Sequence, residues 1–380
     1  MADDTTGAVV GTRRRPLISF VLCSRNDQFQ GDSLWRLGTS LNVLARTLQE
    51  LDRLDDAEVV VSDWGSAEPL RDATVLTDEA RRIVRFLTVP PELAKAKQRD
   101  SPFAEVIAIN AAARRSTGEY VGRIDQDTVV GREFLEWFFD TVDPRPVAQG
   151  GHGGRLAAAR NPEGFRPETT AMIANRRRVP YHLAVRTPAL PLIERYVDTF
   201  GSRLPRMDDG PEDRYWEIYI GIIVFHRDLW EACEGYDETF LYYGYMEFDL
   251  FLRLLMKYEG AEISRRVGTS FFHLDHVPAW SVGAKLARKT NVARRPDSDP
   301  PTEMRPNGPD WGLAAYDLPL EPSTRPAGSA AANRRWHRGD GRTLAALTAA
   351  STARTAVQIA YEAARRTAGR IVRRVVPAAS

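Results

Sequence analysis

The chain has 380 residues, 43% hydrophobic and 27% charged, and its 52 Lys and Arg against 51 Asp and Glu leave a net charge of +1. This composition supplies a sizeable apolar core and excludes wholesale disorder, while the near-zero balance excludes a global basic field for nucleic acid. Only two cysteines, Cys23 and Cys233, exclude a disulfide-stapled scaffold, and no stretch of about 18 uninterrupted apolar residues predicts a membrane-spanning helix.

Residues 1–15 read as a flexible lead; they lack the central apolar stretch of a secretory signal, so the expected location is the cytoplasm. Pro16 to Cys23 is a short, nearly continuous apolar run, as expected of a strand covered on both faces in a parallel sheet. Leu34, Leu37, Leu41, Leu44, Leu48 and Leu51 recur at alternating spacings of three and four and predict one helix face. Glu58 to Asp63 and Arg82 to Val89 predict two further strands, the second stopped by Pro90-Pro91. Phe103 to Ser116 is Ala-rich and helical in pattern, with Gly118 as its stop, and Glu119 to Asp125 predicts a fourth strand. This order argues for an α/β sandwich around a largely parallel sheet.

Residues 144–215 are rich in Pro, Gly and Arg and predict an irregular region, with a helix over Ala189 to Phe200. Order returns with a strand over Tyr219 to Phe225, a short helix over Asp228 to Cys233, a longer one over Phe248 to Tyr258, and a strand over Glu262 to Val267. Residues 281–340 read as irregular surface chain in which Asn291 and Trp311-Gly312 are lid candidates. The last forty residues carry seven Arg against one Glu and have an amphipathic helical pattern; such a tail packs on its own domain or lies on an anionic membrane or a partner.

The sharpest chemical signal is Asp125-Gln126-Asp127 at the end of the fourth strand. Ligands bind at the carboxyl ends of strands in open parallel sheets, and two carboxylates there can hold a divalent cation against a phosphorylated substrate. Asp63, Ser24 and Arg25 end the second and first strands in equivalent places, where they can meet a base, a ribose or a diphosphate; the alternative for Asp63 is a turn-forming role before Gly65. The second signal is the run from Gly235 through Tyr236, Asp237, Glu238, Gly244 and Glu247 to Asp249 and Leu250.

Pro16 to Val130 resembles the nucleotide-binding half of a GT-A fold glycosyltransferase of the family 2 type, with Asn110 on the helix before the Gly-Glu-Tyr that leads to Asp-x-Asp. Residues 212–280 resemble a galactosyltransferase-type C-terminal segment, and together the two cover about 200 of the 380 residues. The resemblance implies a Rossmann-like GT-A three-layer sandwich: a nucleotide-sugar-binding half over 16–143, an acceptor-binding and catalytic half over 144–280, then the irregular 281–340 and the helical tail 341–380. It implies an inverting transfer from a nucleotide diphosphate sugar, UDP above others, to a saccharide or glycolipid hydroxyl. Glu247 falls at the position of the catalytic base; Ser24, Arg25, Asp63 and Asp125 fall on the donor, and Trp216, Tyr243 and Asp249 on the acceptor. Asp125 and Asp127 with His273 or His276 would hold Mn²⁺ or Mg²⁺.

One departure stands out: the acidic residue that commonly precedes the base is Met246 here. Asp249 also reads as the acidic start of a helix, favourable against its dipole. Two alternatives remain at this stage: a noncatalytic binding protein on the same fold, and a sugar-nucleotide pyrophosphorylase. The latter would carry a Gly-rich, basic signature after the first strand that is absent here.

Overall fold

The computed structural model describes residues 15–27, 33–143, 165–179, 220–266, 271–274, 290–294 and 298–326. The predicted Ala189–Phe200 helix and the 341–380 tail lie outside them. Among the described residues no helix is long and apolar enough to cross a membrane.

The first half alternates strand and helix as its pattern predicts. Strand β1 (Ile18–Ser24), helix α1 (Ser33–Glu50), β2 (Ala57–Trp64), the short helices α2 (Leu70–Ala73) and α3 (Asp78–Ile83), and β3 (Val84–Val89) follow in turn. Then come α4 (Pro91–Gln98), α5 (Glu105–Arg115), β4 (Tyr120–Arg123), β5 (Thr128–Val130) and α6 (Arg132–Val142). Pro91 sits in the first turn of α4, so the Pro90-Pro91 pair that stops one strand also opens a helix. Thr77 caps α3 by accepting from the Ala80 amide at 3.3 Å.

The second half supplies β6 (Thr170–Ala174), β7 (Arg177–Val179), β8 (Ile222–His226), α7 (Arg227–Ala232), α8 (Met246–Leu255), β9 (Glu259–Glu262), α9 (Ile263–Arg266), β10 (Phe271–Leu274) and β11 (Leu320–Glu321). The expected strand over Glu262 to Val267 is corrected: β9 ends at Glu262, and the Glu262 carboxylate then accepts from the Ser264 amide at 3.1 Å, turning the chain into α9. The region expected to be irregular contains β6, which is buried along its whole length.

The main sheet has eight strands in the order β11-β3-β2-β1-β4-β8-β6-β9. Strands β1 to β4 are mutually parallel, β8 runs against β4 and β6, and β11 runs against β3. Alternate residues face two separate cores. Phe20, Leu22, Val59 and Val61 pack under α1, α3 and α6, while Val21, Val60, Val121 and Ile173 pack under α5 and α8. Both faces are covered, which is why β1 and β2 read as nearly continuous apolar runs. The leucines of the α1 stripe from Leu37 to Leu51 are at most 1% exposed. The chain thus adopts the mostly parallel three-layer α/β sandwich expected of a GT-A-type fold.

The described part of 281–340 is mostly exposed or half-buried chain that is anchored at two places. Trp311 and Leu313 are buried in the α5–α8 core, and β11 pairs with β3 at the sheet edge. Arg115 pins this segment by donating to the carbonyls of Gly312, Leu313, Tyr316 and Leu318 at 2.8–3.1 Å. Irregular backbone carries no periodic signal, so its packing was invisible to pattern reading.

Candidate active site

Strand order reverses between β1 and β4: β1 is followed in space by β2 on one side and by β4 on the other. A crevice for ligands opens at such a switch, beyond the carboxyl ends of the strands. Register places Ser24 beside Asp63 and Val21 beside Arg123, so the ends of β1, β2 and β4 share that edge. The turn Asp125-Gln126-Asp127 continues from β4, closed by the Thr128 amide donating to the Asp125 carbonyl at 3.0 Å. Ser24 Oγ donates to Gln126 Oε1 and ties this turn to β1.

A second, three-stranded sheet in the order β5-β10-β7 completes the site. Antiparallel pairing sets His273 opposite Thr128, and the Leu274 amide donates to the Asp127 carbonyl at 2.9 Å. Backbone register therefore delivers the imidazole to the acidic turn, with His273 Nδ1 3.0 Å from Asp127 Oδ1. The resemblance implies His273 or His276 as a metal ligand beside this turn; His273 is the one among the described residues, 146 positions from Asp127 in sequence.

Glu247 lies in the first turn of α8. The approach is a tight bend: Gly244 has φ +93° and Tyr245 φ +70°. Asn291 braces it, donating to the carbonyls of Tyr242 at 2.6 Å and Gly244 at 3.0 Å, while its own amide donates to the Tyr243 carbonyl at 3.0 Å. Asn110 fixes the start of the same run, donating to the Tyr236 carbonyl and accepting from the Tyr236 amide, both at 2.8 Å. A Cβ on Gly235 would stand 2.3 Å from Asn110 Oδ1, and its φ of +68° favours glycine as well.

Glu247 and Asp125 meet across one guanidinium. Arg123 Nη2 is 2.7 Å from Asp125 Oδ1 and 3.2 Å from Glu247 Oε1. The Glu247 side chain is 15% exposed, and burial pushes its carboxyl up to about 7, with Arg123 opposing and Glu105 and Asp125 reinforcing the rise. A carboxyl poised near neutrality can take a proton from a hydroxyl and later release it.

The acidic turn is crowded with cations that pattern reading did not single out. Arg176, between β6 and β7, places Nη1 on Asp125 Oδ2, 3.3 Å from Thr128 Oγ1 and 3.9 Å from Asp127 Oδ1. Arg36 of α1 places Nε 3.8 Å from Asp127 Oδ2. Each oxygen of the two aspartates thus faces a guanidinium or an imidazole. No group of three His, Cys, Asp or Glu among the described residues could hold a metal ion. Asp125, Asp127 and His273 as arranged do not fit a divalent cation, because the aspartate oxygens are taken up by Arg123, Arg176, Arg36 and His273; His276 lies outside the described residues.

The other expected contacts divide. Asp63 is fully buried at the right edge, but Ser66 Oγ donates to its Oδ1 and the Leu70 amide to its Oδ2 at 2.7 Å, the turn-forming alternative; burial pushes its carboxyl up. Arg25 donates to Asp27 at 2.7 Å and the Pro102 carbonyl at 2.8 Å and lies over the Phe103 ring, so it holds neighbouring loops. Asp249, 4% exposed, accepts from Arg253 Nε at 2.8 Å, and Arg253 in turn braces the Cys233, Gly235 and Met304 carbonyls. Its carboxylate is thus paired within its own helix. Met246 is 3% exposed in the core, so the departure from the familiar acid is a packing residue. Tyr243 forms a bridge with Thr290 beside Asn291. Trp216 lies outside the described residues.

No protein-family model and no curated protein matches the chain. Among solved structures, it is similar to S. aureus TarS 1-349, at 16% identity and a TM-score of 0.38 over 68% of this chain and 60% of that one. The same protein in complex with UDP gives 15% and 0.38 over 68% and 60%, and in complex with UDP-GlcNAc 14% and 0.34 over 68% and 58%. The chain therefore spans about 60% of the length of TarS 1-349, and a likeness this distant leaves the chemistry to be argued from the site itself.

Proposed function

We propose that this chain transfers a glycosyl group from a nucleoside diphosphate sugar, UDP-linked above others, to a hydroxyl of a saccharide or glycolipid, with inversion at the anomeric carbon. The observation that carries the reading is Glu247: a largely buried carboxyl, raised to about 7, beside Asp125 at the switch point of a mostly parallel sheet.

In this reading the acceptor oxygen forms a bond to the anomeric carbon as its proton passes to Glu247. The bond from that carbon to the diphosphate oxygen breaks, and the nucleoside diphosphate leaves with the electron pair. Attack from the face opposite the leaving group inverts the centre. Charge growing on the diphosphate is met by guanidinium groups at the edge, Arg176 and Arg36 being the ones on the acidic turn. No step is assigned to a divalent ion, since the described donors do not form a site for one.

The test is nucleotide release. Purified protein is incubated with a panel of UDP-, GDP- and dTDP-sugars, with saccharide and lipid-linked acceptors, in EDTA and in Mn²⁺. Acceptor-stimulated release of a nucleoside diphosphate supports the reading. Binding of a nucleotide sugar with no release under any condition would instead establish a noncatalytic binding protein, and release of pyrophosphate from a nucleoside triphosphate and a sugar phosphate would establish a pyrophosphorylase.

A further inference from the structure

Arg123 is an unusual residue for its place. It ends β4, a strand buried at every position, and is itself 2% exposed. A charge so placed is tolerated only against counter-charges. Three carboxylates from three elements supply them. Arg123 Nη2 lies 2.7 Å from Glu105 at the start of α5, 2.7 Å from Asp125 in the turn after β4, and 3.2 Å from Glu247 in the first turn of α8. Nη1 donates to the Gly221 carbonyl at 3.0 Å, just before β8. One guanidinium therefore joins two helix starts and two strand ends at the proposed centre. Its Nε is buried with no hydrogen-bond partner among the described residues, so the group is held by these contacts at its outer nitrogens.

The charges do not cancel. Arg123 faces three carboxylates, of which Asp125 also meets Arg176 on its other oxygen, and the Tyr236 phenol, buried and without a hydrogen-bond partner among the described residues, is a further titratable group close to Glu247. Remove the guanidinium and the carboxylates are left to repel one another in a water-poor pocket. Remove one of the other carboxylates and Glu247 gains a larger share of Arg123.

We propose that Arg123 is the positioning residue of this site, holding the Glu247 carboxylate in place beside Asp125 and sharing its single charge among Glu247, Asp125 and Glu105. The proposal rests on the reading of Glu247 as the base, and it adds a residue that touches no substrate and acts only through the carboxylates it holds. It also assigns Glu105 a role: a competitor whose claim on Arg123 sets how strongly Glu247 is held.

The test reads Glu247 directly, without requiring turnover. Protein labelled with carboxyl-¹³C glutamate is titrated by NMR, and the Glu247 resonance is assigned by its loss in Glu247→Gln. Arg123→Met is expected to move the Glu247 midpoint up by at least one pH unit, a tenfold change in proton affinity, and Arg123→Lys to restore part of it. Glu105→Gln is expected to move it down by about half a unit or more; as an exchange of like size at a helix start it also serves if Arg123→Met does not fold. With a donor identified, Arg123→Met is expected to lower kcat at least 30-fold while changing the donor KM less than threefold. Midpoints that stay at the wild-type value in both Glu105→Gln and the folded Arg123 variants would overturn the proposal. Absence of transfer by the wild type alongside the expected midpoint shifts would count against the glycosyltransferase reading and leave the role of Arg123 standing.

Discussion

Replacing Arg176 with alanine should create a divalent-cation site where the wild type has an internal ion pair. Arg176 Nη1 contacts Asp125 Oδ2 and stands 3.9 Å from Asp127 Oδ1, with side-chain exposures of 9%, 26% and 7% for Arg176, Asp125 and Asp127. Two unit charges about 4 Å apart are worth about 4 kcal/mol at an effective dielectric of about 20. An incoming ion must displace that interaction, although the freed guanidinium recovers hydration in part. A third of the Coulomb figure, about 1.4 kcal/mol, already corresponds to about tenfold in affinity. Titration of Mn²⁺ followed by the loss of its free-ion EPR signal gives the dissociation constant. Arg176→Ala is expected to bind Mn²⁺ at least tenfold more tightly than the wild type, and Arg176→Ala combined with Asp127→Ala to lose the gain. Equal affinity in wild type and Arg176→Ala would refute the reasoning that the guanidinium competes with a cation for these aspartates.

Three further outcomes follow from the same geometry. Turnover should rise with pH through an apparent value near 7, because Glu247 must be ionised to accept a proton and its carboxyl is raised to about 7; a kcat profile flat from pH 5.5 to 8.5 would contradict this. Stability should move the other way. With the folded carboxyl near 7 against an ordinary 4.5, burial of the ionised form costs up to about 3 kcal/mol above pH 7 and nothing below pH 4.5. Glu247→Gln should therefore raise the midpoint of urea unfolding at pH 8 and leave it nearly unchanged at pH 4.5. Asn291→Ala removes three side-chain bonds, two to the carbonyls of Tyr242 and Gly244 and one from the Tyr242 amide, and should cost about 2–3 kcal/mol in urea unfolding and lower kcat, by loosening the bend that aims Glu247.

The strands of the first half were legible because a sheet covered on both faces favours apolar residues on both sides, and β1 and β2 have apolar centres, Phe20 to Cys23 and Val59 to Val61. Helix α1 was legible because its buried leucines recur at helical spacing. The three-residue strands β5 and β7 were not, since so short a segment carries no period; yet β5 is what sets His273 beside Asp127. Asp125, Asp127, Glu247 and His273 stood out by residue type and by resemblance in order, and the fold brings them to one edge. Asp249 and Asp63 carried the same chemical signal, and residue type alone did not reveal that each also has local partners, Arg253 for one and Ser66 and Leu70 for the other. Arg123 left a trace, a charge inside an apolar strand, and that trace is a usable signal for a buried ionic centre. Arg176 left none, because its meaning comes wholly from a turn distant in sequence.

The central claim is that Glu247 accepts the acceptor proton while taking little part in holding the donor. Its most direct measurement compares turnover and donor affinity in wild type and Glu247→Gln on the same preparation, using the donor that the release assay identifies. The account predicts a loss of ~100-fold or more in kcat, the scale of general-base catalysis, with the donor dissociation constant within about threefold of wild type. A Glu247→Gln enzyme that turns over at close to the wild-type rate would contradict it.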